Sequence, residues 1–87
     1  MNAETELFER AAAAAKSLRE RPDNHTMLRL YALFKQGSIG DVRGEKPGFM
    51  DLVGSAKYEA WAKLAGMPST DAQALYIELV RKLGGPV

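Results

Sequence analysis

Residues 27–66 read MLRLYALFKQGSIGDVRGEKPGFMDLVGSAKYEAWAKLAG, and the fold turns on how this stretch divides. Met27, Leu28, Leu30, Tyr31, Leu33 and Phe34 recur at helical spacing and give one broad apolar face. Asp23 and Asn24 stand just before them as N-cap types, and Gly37 offers a C-terminal stop. Residues 37–52 then lose all periodicity, with glycines at 37, 40, 44 and 48 and Pro47 beside the last of these. A stretch that long is unusual in a compact domain. It reads either as a functional loop or as a surface crossover joining two parallel helices. Periodicity returns over 54–65, where Ala56, Ala60, Trp61 and Leu64 mark an inward face and Gly66 closes the helix.

The flanks extend the same pattern. Before the stretch, Phe8, Ala11, Ala12, Ala15 and Leu18 predict a helix from Ala3 to Arg21, ended by Pro22, which disfavours helical geometry in the residue before it. Glutamates at its start and Lys16, Arg19 and Arg21 near its end suit the helix dipole. After the stretch, Ala72, Leu75, Tyr76, Leu79, Val80 and Leu83 predict a fourth helix, stopped by Gly84-Gly85-Pro86. Pro68 fits its first turn, and Thr70 with Gln73 has the spacing of a capping box; the spacing does not choose between them. No strand-like alternation and no internal repeat occurs. Four amphipathic helices predict a small all-α bundle forming one domain over residues 1–87.

Composition narrows the function classes. A hydrophobic share of 46% with 26% charged residues is that of an ordered globular protein, not a disordered one. The net charge of +1, with Lys and Arg spread along the chain, argues against nucleic acid as a partner. There is no cysteine, which excludes disulfides, zinc–thiolate sites and thiol nucleophiles and is compatible with a cytoplasmic location. No apolar run approaches a membrane span, and the alanine run at 11–15 resembles neither a span nor a signal peptide, so stable membrane insertion is not expected.

Catalytic and metal constellations are missing. His25 is the only histidine and reads as a solvated or structural residue. Glu4, Glu6 and Glu9 read as a solvated helix start. The glycine spacing matches neither a P-loop nor a dinucleotide fingerprint, and no serine has a base near it in sequence. No catalytic residue, metal site or cofactor is expected, and an enzyme is disfavoured. A set of tyrosines and lysines remains. Tyr31 and Lys35 lie four apart and project from one helix face. Lys57 falls near the start of the third helix, Tyr76 midway along the fourth, and Lys16 late in the first. Phenol hydroxyls and ammonium groups converging at one place are the donors a phosphate needs. Singly, the tyrosines read first as core residues and Lys35 as a solvated one, and the spacing alone is a weak signal.

The residues of the central stretch carry a family resemblance. Leu30-Tyr31-Ala32-Leu33-Phe34-Lys35-Gln36, Gly40-Asp41, Pro47-Gly48-Phe49-Met50-Asp51 and Gly54-Ser55-Ala56-Lys57-Tyr58-Glu59-Ala60-Trp61 closely resemble the acyl-CoA-binding protein family in order and spacing. That family's pattern is Tyr-Lys-Gln, Gly-Asp, Pro-Gly-x-x-Asp and Gly-Lys-Ala-Lys-Trp-x-Ala-Trp. The similarity runs from Phe8 to about Leu83 and includes Pro22 and the Ala72-to-Ile77 segment. It implies an up-down-down-up four-helix bundle with a long crossover between helices two and three. It also implies the ligand, a medium- to long-chain fatty acyl-CoA ester bound without covalent chemistry. Carried over position by position, Tyr31, Lys35, Lys57 and Tyr76 fall on the main ligand positions. Lys16 falls on a further contact, and Met27 and Leu28 fall near the acyl groove and the adenine side. Four departures stand out: Phe34 lacks the hydroxyl of a common Tyr, Ser55 lacks a lysine's charge, Tyr58 replaces a Trp, and Val53 replaces a polar or basic residue.

The implied role is that of a monomeric carrier and buffer of acyl-CoA that hands its ligand to acyl-CoA-using enzymes. The lysines and tyrosines would hold the ribose 3′-phosphate, while the chain lies in a groove lined by Met27, Leu28 and parts of 49–53. The rival expectation is a helical interaction module whose apolar groove takes a partner helix.

Overall fold

The computed structural model describes residues 3–87; Met1 and Asn2, the first two of the expected domain, lie outside the described residues. Four helices follow one another: α1 (Ala3–Ala15), α2 (Asn24–Ile39), α3 (Leu52–Ala62) and α4 (Ser69–Lys82). No strand occurs among the described residues. Phe8, Ala11 and Ala14 of α1, Leu30 and Leu33 of α2, and Ala72, Tyr76, Ile77 and Val80 of α4 form the core. Burying each large apolar side chain contributes about 1.5–3 kcal/mol, which makes this three-helix layer the main source of stability.

Side-chain tethers fix the helix directions. Trp61, at the end of α3, donates its indole N–H to the Gly40 carbonyl at 2.8 Å, just past the end of α2. The C-terminal ends of α2 and α3 therefore lie together, and the two helices run parallel. Ser69 and Gln73, in the first turns of α4, donate to the Gln36 and Gly37 carbonyls at 3.1 and 2.9 Å. The start of α4 thus meets the end of α2, and those two are antiparallel. Glu4 and Thr70 share one concavity at the N-terminal ends of α1 and α4, while a methyl group placed on Gly85 would meet Ala14 at 3.5 Å at the other end. The bundle is accordingly up-down-down-up, with residues 40–51 as the crossover between α2 and α3.

Several boundaries depart from the sequence expectation. The first helix ends at Ala15, not Arg21; Lys16 and Ser17 close it with tight three-residue bonds to Ala13 and Ala14. Residues 16–21 have good helix propensity, but the chain must reverse before the Asp23 cap of α2, and that tertiary demand overrides propensity. Gly37 does not stop the second helix. It is buried inside α2, where a Cβ would approach Gln73 Cγ and Phe8 Cζ, each at 3.0 Å, so its missing side chain lets α1 and α4 come close. The stop is Gly40, whose φ of 85° suits glycine and whose N–H donates to the Gln36 carbonyl at 3.1 Å. The third helix begins at Leu52, two residues early, because Asp51 caps it by accepting the Gly54 N–H at 2.8 Å. It ends at Ala62, and single turns carry the chain on to Gly66. The Thr70–Gln73 capping box does not form: the Gln73 amide reaches across to α2, and Pro68 precedes α4 without a side-chain cap.

The irregular stretch is the crossover, and its first half is built in. Gln36, fully buried, donates from Nε2 to Asp41 Oδ1 and to the Met67 carbonyl, both at 2.8 Å. The same Asp41 oxygen accepts the Gly66 N–H at 2.8 Å. These two donors hold the Asp41 carboxyl below the usual carboxylate range. Further along, Tyr58 donates to the Gly44 carbonyl at 3.2 Å, and Lys46 pairs with Glu59 at 3.6 Å on the surface.

Candidate functional site

A groove of about 1140 Å³ opens where α3 leans away from α1. Its walls come from the α1–α2 connection (Lys16, Leu18, Arg19, Arg21), the first turns of α2 (Met27, Leu28, Tyr31) and the start of α3 (Leu52, Val53, Lys57). Phe34 and Tyr76 are also in the lining. The opening exists because α3 packs on α2 and buries only Trp61, leaving the early turns of α3 facing α1 across open space. The volume exceeds the roughly 300–1,000 Å³ of drug-sized sites, so an extended ligand fits better than a compact one.

One end of the groove gathers cations around a phenol. The four-residue spacing on α2 puts Lys35 above the Tyr31 ring, with Nζ 5.9 Å from the centroid. The parallel packing of α3 brings Lys57 Nζ to 5.3 Å from the same centroid. Lys35 also lies 5.2 Å from the Trp61 ring. Each contact is an ordinary cation–π attraction. Two ammonium groups this near one ring make the local potential positive, which favours an anion there. Every ionisable side chain with a charge at neutral pH in the groove lining is basic: Lys16, Arg19, Arg21 and Lys57.

Tyr76 is placed differently. It is buried on α4, edge-on to Phe8 at 5.3 Å and tilted against Phe34 at 5.9 Å, while Phe8 and Phe34 stack at 5.5 Å. Its hydroxyl makes no hydrogen bond among the described residues. Burial pushes its pKa up, so at neutral pH it is an uncharged donor on an aromatic surface.

The structure brings Tyr31, Lys35 and Lys57 together and puts Lys16, Met27, Leu28 and Tyr76 on the same groove; Lys35 stands at its edge, outside the lining. Of residues 49–53, Leu52 and Val53 line the groove and Phe49 and Met50 do not. The sequence reading missed Leu18, Arg19 and Arg21 as wall residues. It had assigned them to a longer helix, and the only signal for a wall was the basic cluster running into Pro22. His25 is exposed, as a solvated histidine would be. Among the described residues no three His, Cys, Asp or Glu side chains cluster as metal ligands, and no helix is long and apolar enough to cross a membrane.

Residues 5–80 match the family model described as Acyl CoA binding protein. The chain is 51% identical over 79 residues to an acyl-CoA-binding protein homolog of Drosophila melanogaster, covering 91% of this chain and 92% of that one. It is 49% identical over 76 residues to acyl-CoA-binding protein homolog 1 of Caenorhabditis elegans, covering 87% and 88%. Among solved structures it resembles Oryza sativa acyl-CoA-binding protein 2, with a TM-score of 0.89 and 36% identity over 93% of this chain and 90% of that chain. The acyl coenzyme A binding protein from yeast follows the same fold, with a TM-score of 0.74 and 42% identity over 91% and 92%.

Proposed function

Because the chain belongs to the acyl-CoA-binding protein family, we propose that it binds medium- to long-chain fatty acyl-CoA esters in this groove, without covalent chemistry. The observation that carries the reading is the juxtaposition of a two-lysine phenol cluster with an apolar groove whose charged lining is wholly basic.

The ligand has two opposed needs. Its nucleotide carries phosphates that require cations and donors; its chain leaves water on binding. Lys35, Lys57 and the Tyr31 hydroxyl hold the 3′-phosphate, with charge-assisted hydrogen bonds roughly twice as strong as neutral ones. The Tyr31 ring offers a flat surface to the adenine. Tyr76, a neutral phenol without an internal partner, adds a donor, and Lys16 adds a cation from the opposite wall. Met27, Leu28, Leu52 and Val53 receive the chain. Each methylene buried adds about 0.8 kcal/mol, roughly fourfold in Kd, until the groove is full. No bond is made or broken. The protein acts as a cytoplasmic, monomeric carrier and buffer that passes its ligand to acyl-CoA-using enzymes.

Calorimetric titration with an acyl-CoA series and the matching free fatty acids tests the reading. The esters are expected to bind with affinity rising along the series, and the free acids to bind poorly for want of the nucleotide anchor. Equal affinity for ester and acid overturns it.

A further inference from the structure

Helix α3 carries a single buried side chain, Trp61, whose indole N–H donates to the Gly40 carbonyl at 2.8 Å. Among the described residues its other side-chain links, Tyr58 to Gly44 and Glu59 to Lys46, are exposed and reach only the crossover. The acceptor of the indole is itself held from two sides. The Gly40 N–H closes α2 on the Gln36 carbonyl at 3.1 Å. The next residue, Asp41, accepts the buried Gln36 amide and the Gly66 N–H on one oxygen, both at 2.8 Å. One carboxylate therefore fixes the turn that receives Trp61 and the turn that follows α3. Trp61 also adjoins the two-lysine cluster. Lys57 precedes it by four positions, one turn away on the same helix face, and Lys35 Nζ lies 5.2 Å from its ring. Trp61 does not line the groove.

We propose that Trp61 is a positioning residue of the ligand site: its N–H on Gly40 sets the roll of α3 so that Lys57 meets Lys35 at the Tyr31 ring, and its indole face keeps Lys35 there. The proposal rests on the acyl-CoA reading of the groove and adds where the preference for the 3′-phosphate comes from. Lys57 is exposed, and the early turns of α3 bury nothing, so its place depends on the anchor one turn further on. Loss of the N–H takes the side-chain donor from the Gly40 carbonyl and frees the helix to roll. The two ammonium groups then cease to converge. A phosphate feels that change sharply, because charge-assisted hydrogen bonds need both cations within a narrow range of distance and angle. An acyl chain feels it weakly, because burial of apolar surface is not directional. Trp61 thus governs discrimination for the phosphate rather than affinity in general.

Calorimetric titration with a long-chain acyl-CoA and with its 3′-dephospho form tests the proposal. The unaltered chain is expected to prefer the phosphorylated ester. Trp61→Phe keeps a ring and removes the N–H; it is expected to weaken the phosphorylated ester roughly tenfold and the dephospho ester less than about twofold. Benzothienylalanine in place of Trp61 keeps the ring shape with sulfur instead of N–H. It is expected to show the same selective loss, and it serves where Trp61→Phe does not fold. In a chain already carrying Lys57→Ala, adding Trp61→Phe is expected to cost the phosphorylated ester less than about threefold more, because the residue acts through that lysine. Equal weakening of both esters, an unchanged preference in the folded variants, or full additivity with Lys57→Ala leaves Trp61 a structural role alone and overturns the proposal. Where the unaltered chain prefers the phosphorylated ester and the variants keep that preference, only the positioning role fails. Where the unaltered chain shows no preference or no binding, the acyl-CoA reading fails with it.

Discussion

Helices α3 and α4 are of similar length and do opposite work. Helix α4 buries Ala72, Tyr76, Ile77 and Val80 and packs on both α1 and α2. Helix α3 buries Trp61 alone and packs mainly on α2. One is the seam of the core; the other is an outrigger held by the Trp61 indole and by hydrogen bonds to the crossover. The difference shows why a small bundle has a groove at all. Stability is concentrated in α1, α2 and α4, and α3 is left projecting so that Lys57 and its apolar residues Leu52 and Val53 face open space.

The largest expected effect lies on the core side of that division. Leu33→Ala empties a site with no exposure and is expected to lower unfolding free energy by about 2–5 kcal/mol. Leu33 does not line the groove, so acyl-CoA affinity of the folded variant should be unchanged; denaturant titration and calorimetry on one preparation check both. On the outrigger the pattern should invert. Lys57→Ala removes an exposed ammonium, which should leave the denaturation midpoint within about 0.5 kcal/mol of the parent yet weaken acyl-CoA binding by about 1.5–3 kcal/mol. A Lys57 variant that loses stability and keeps affinity would erase the distinction between the two helices.

The smallest effect concerns pH. The Asp23 carboxyl is held below its ordinary value chiefly by the Thr26 backbone N–H it accepts at 2.8 Å. Asp41 is lowered by Gln36 and Gly66. A lowered folded-state pKa contributes stability that is present above the unfolded value, about 3.9, and is lost as pH falls through the folded value. Urea midpoints should therefore fall in acid, and Asp23→Asn should flatten part of that slope while retaining a capping oxygen. Unchanged slopes in both Asp23→Asn and Asp41→Asn would remove these caps from the acid response.

Much of the fold was legible because helix periodicity, caps and breakers are local. Asp23 serves as the N-cap it was expected to be, and Leu30 and Leu33 of the second helix and Ala72, Tyr76 and Val80 of the fourth, all expected on apolar faces, lie in the core. Gly37 was misread because a glycine near a helix end is locally a stop signal; only the approach of Phe8 and Gln73 reveals it as a packing site. Arg19 and Arg21 were misread for the same reason. Their propensity continues the helix, while the chain reversal that turns them into a groove wall is a long-range requirement. Of the site, Tyr31 and Lys35 share a face by spacing alone. Lys57 joins them through the packing of α3 on α2, which spacing within either helix does not encode.

The residue pattern by itself determined four helices, an irregular crossover and the shared face of Tyr31 and Lys35, because each depends on neighbours a few positions apart. Tertiary packing decided that α3 stands parallel to α2 and nearly free of the core, that two lysines share one tyrosine ring, and that Phe49, Met50, Leu52 and Val53 end up facing solvent. Those outcomes depend on where distant helices settle against each other, and burial and tethering across the bundle are what settle them.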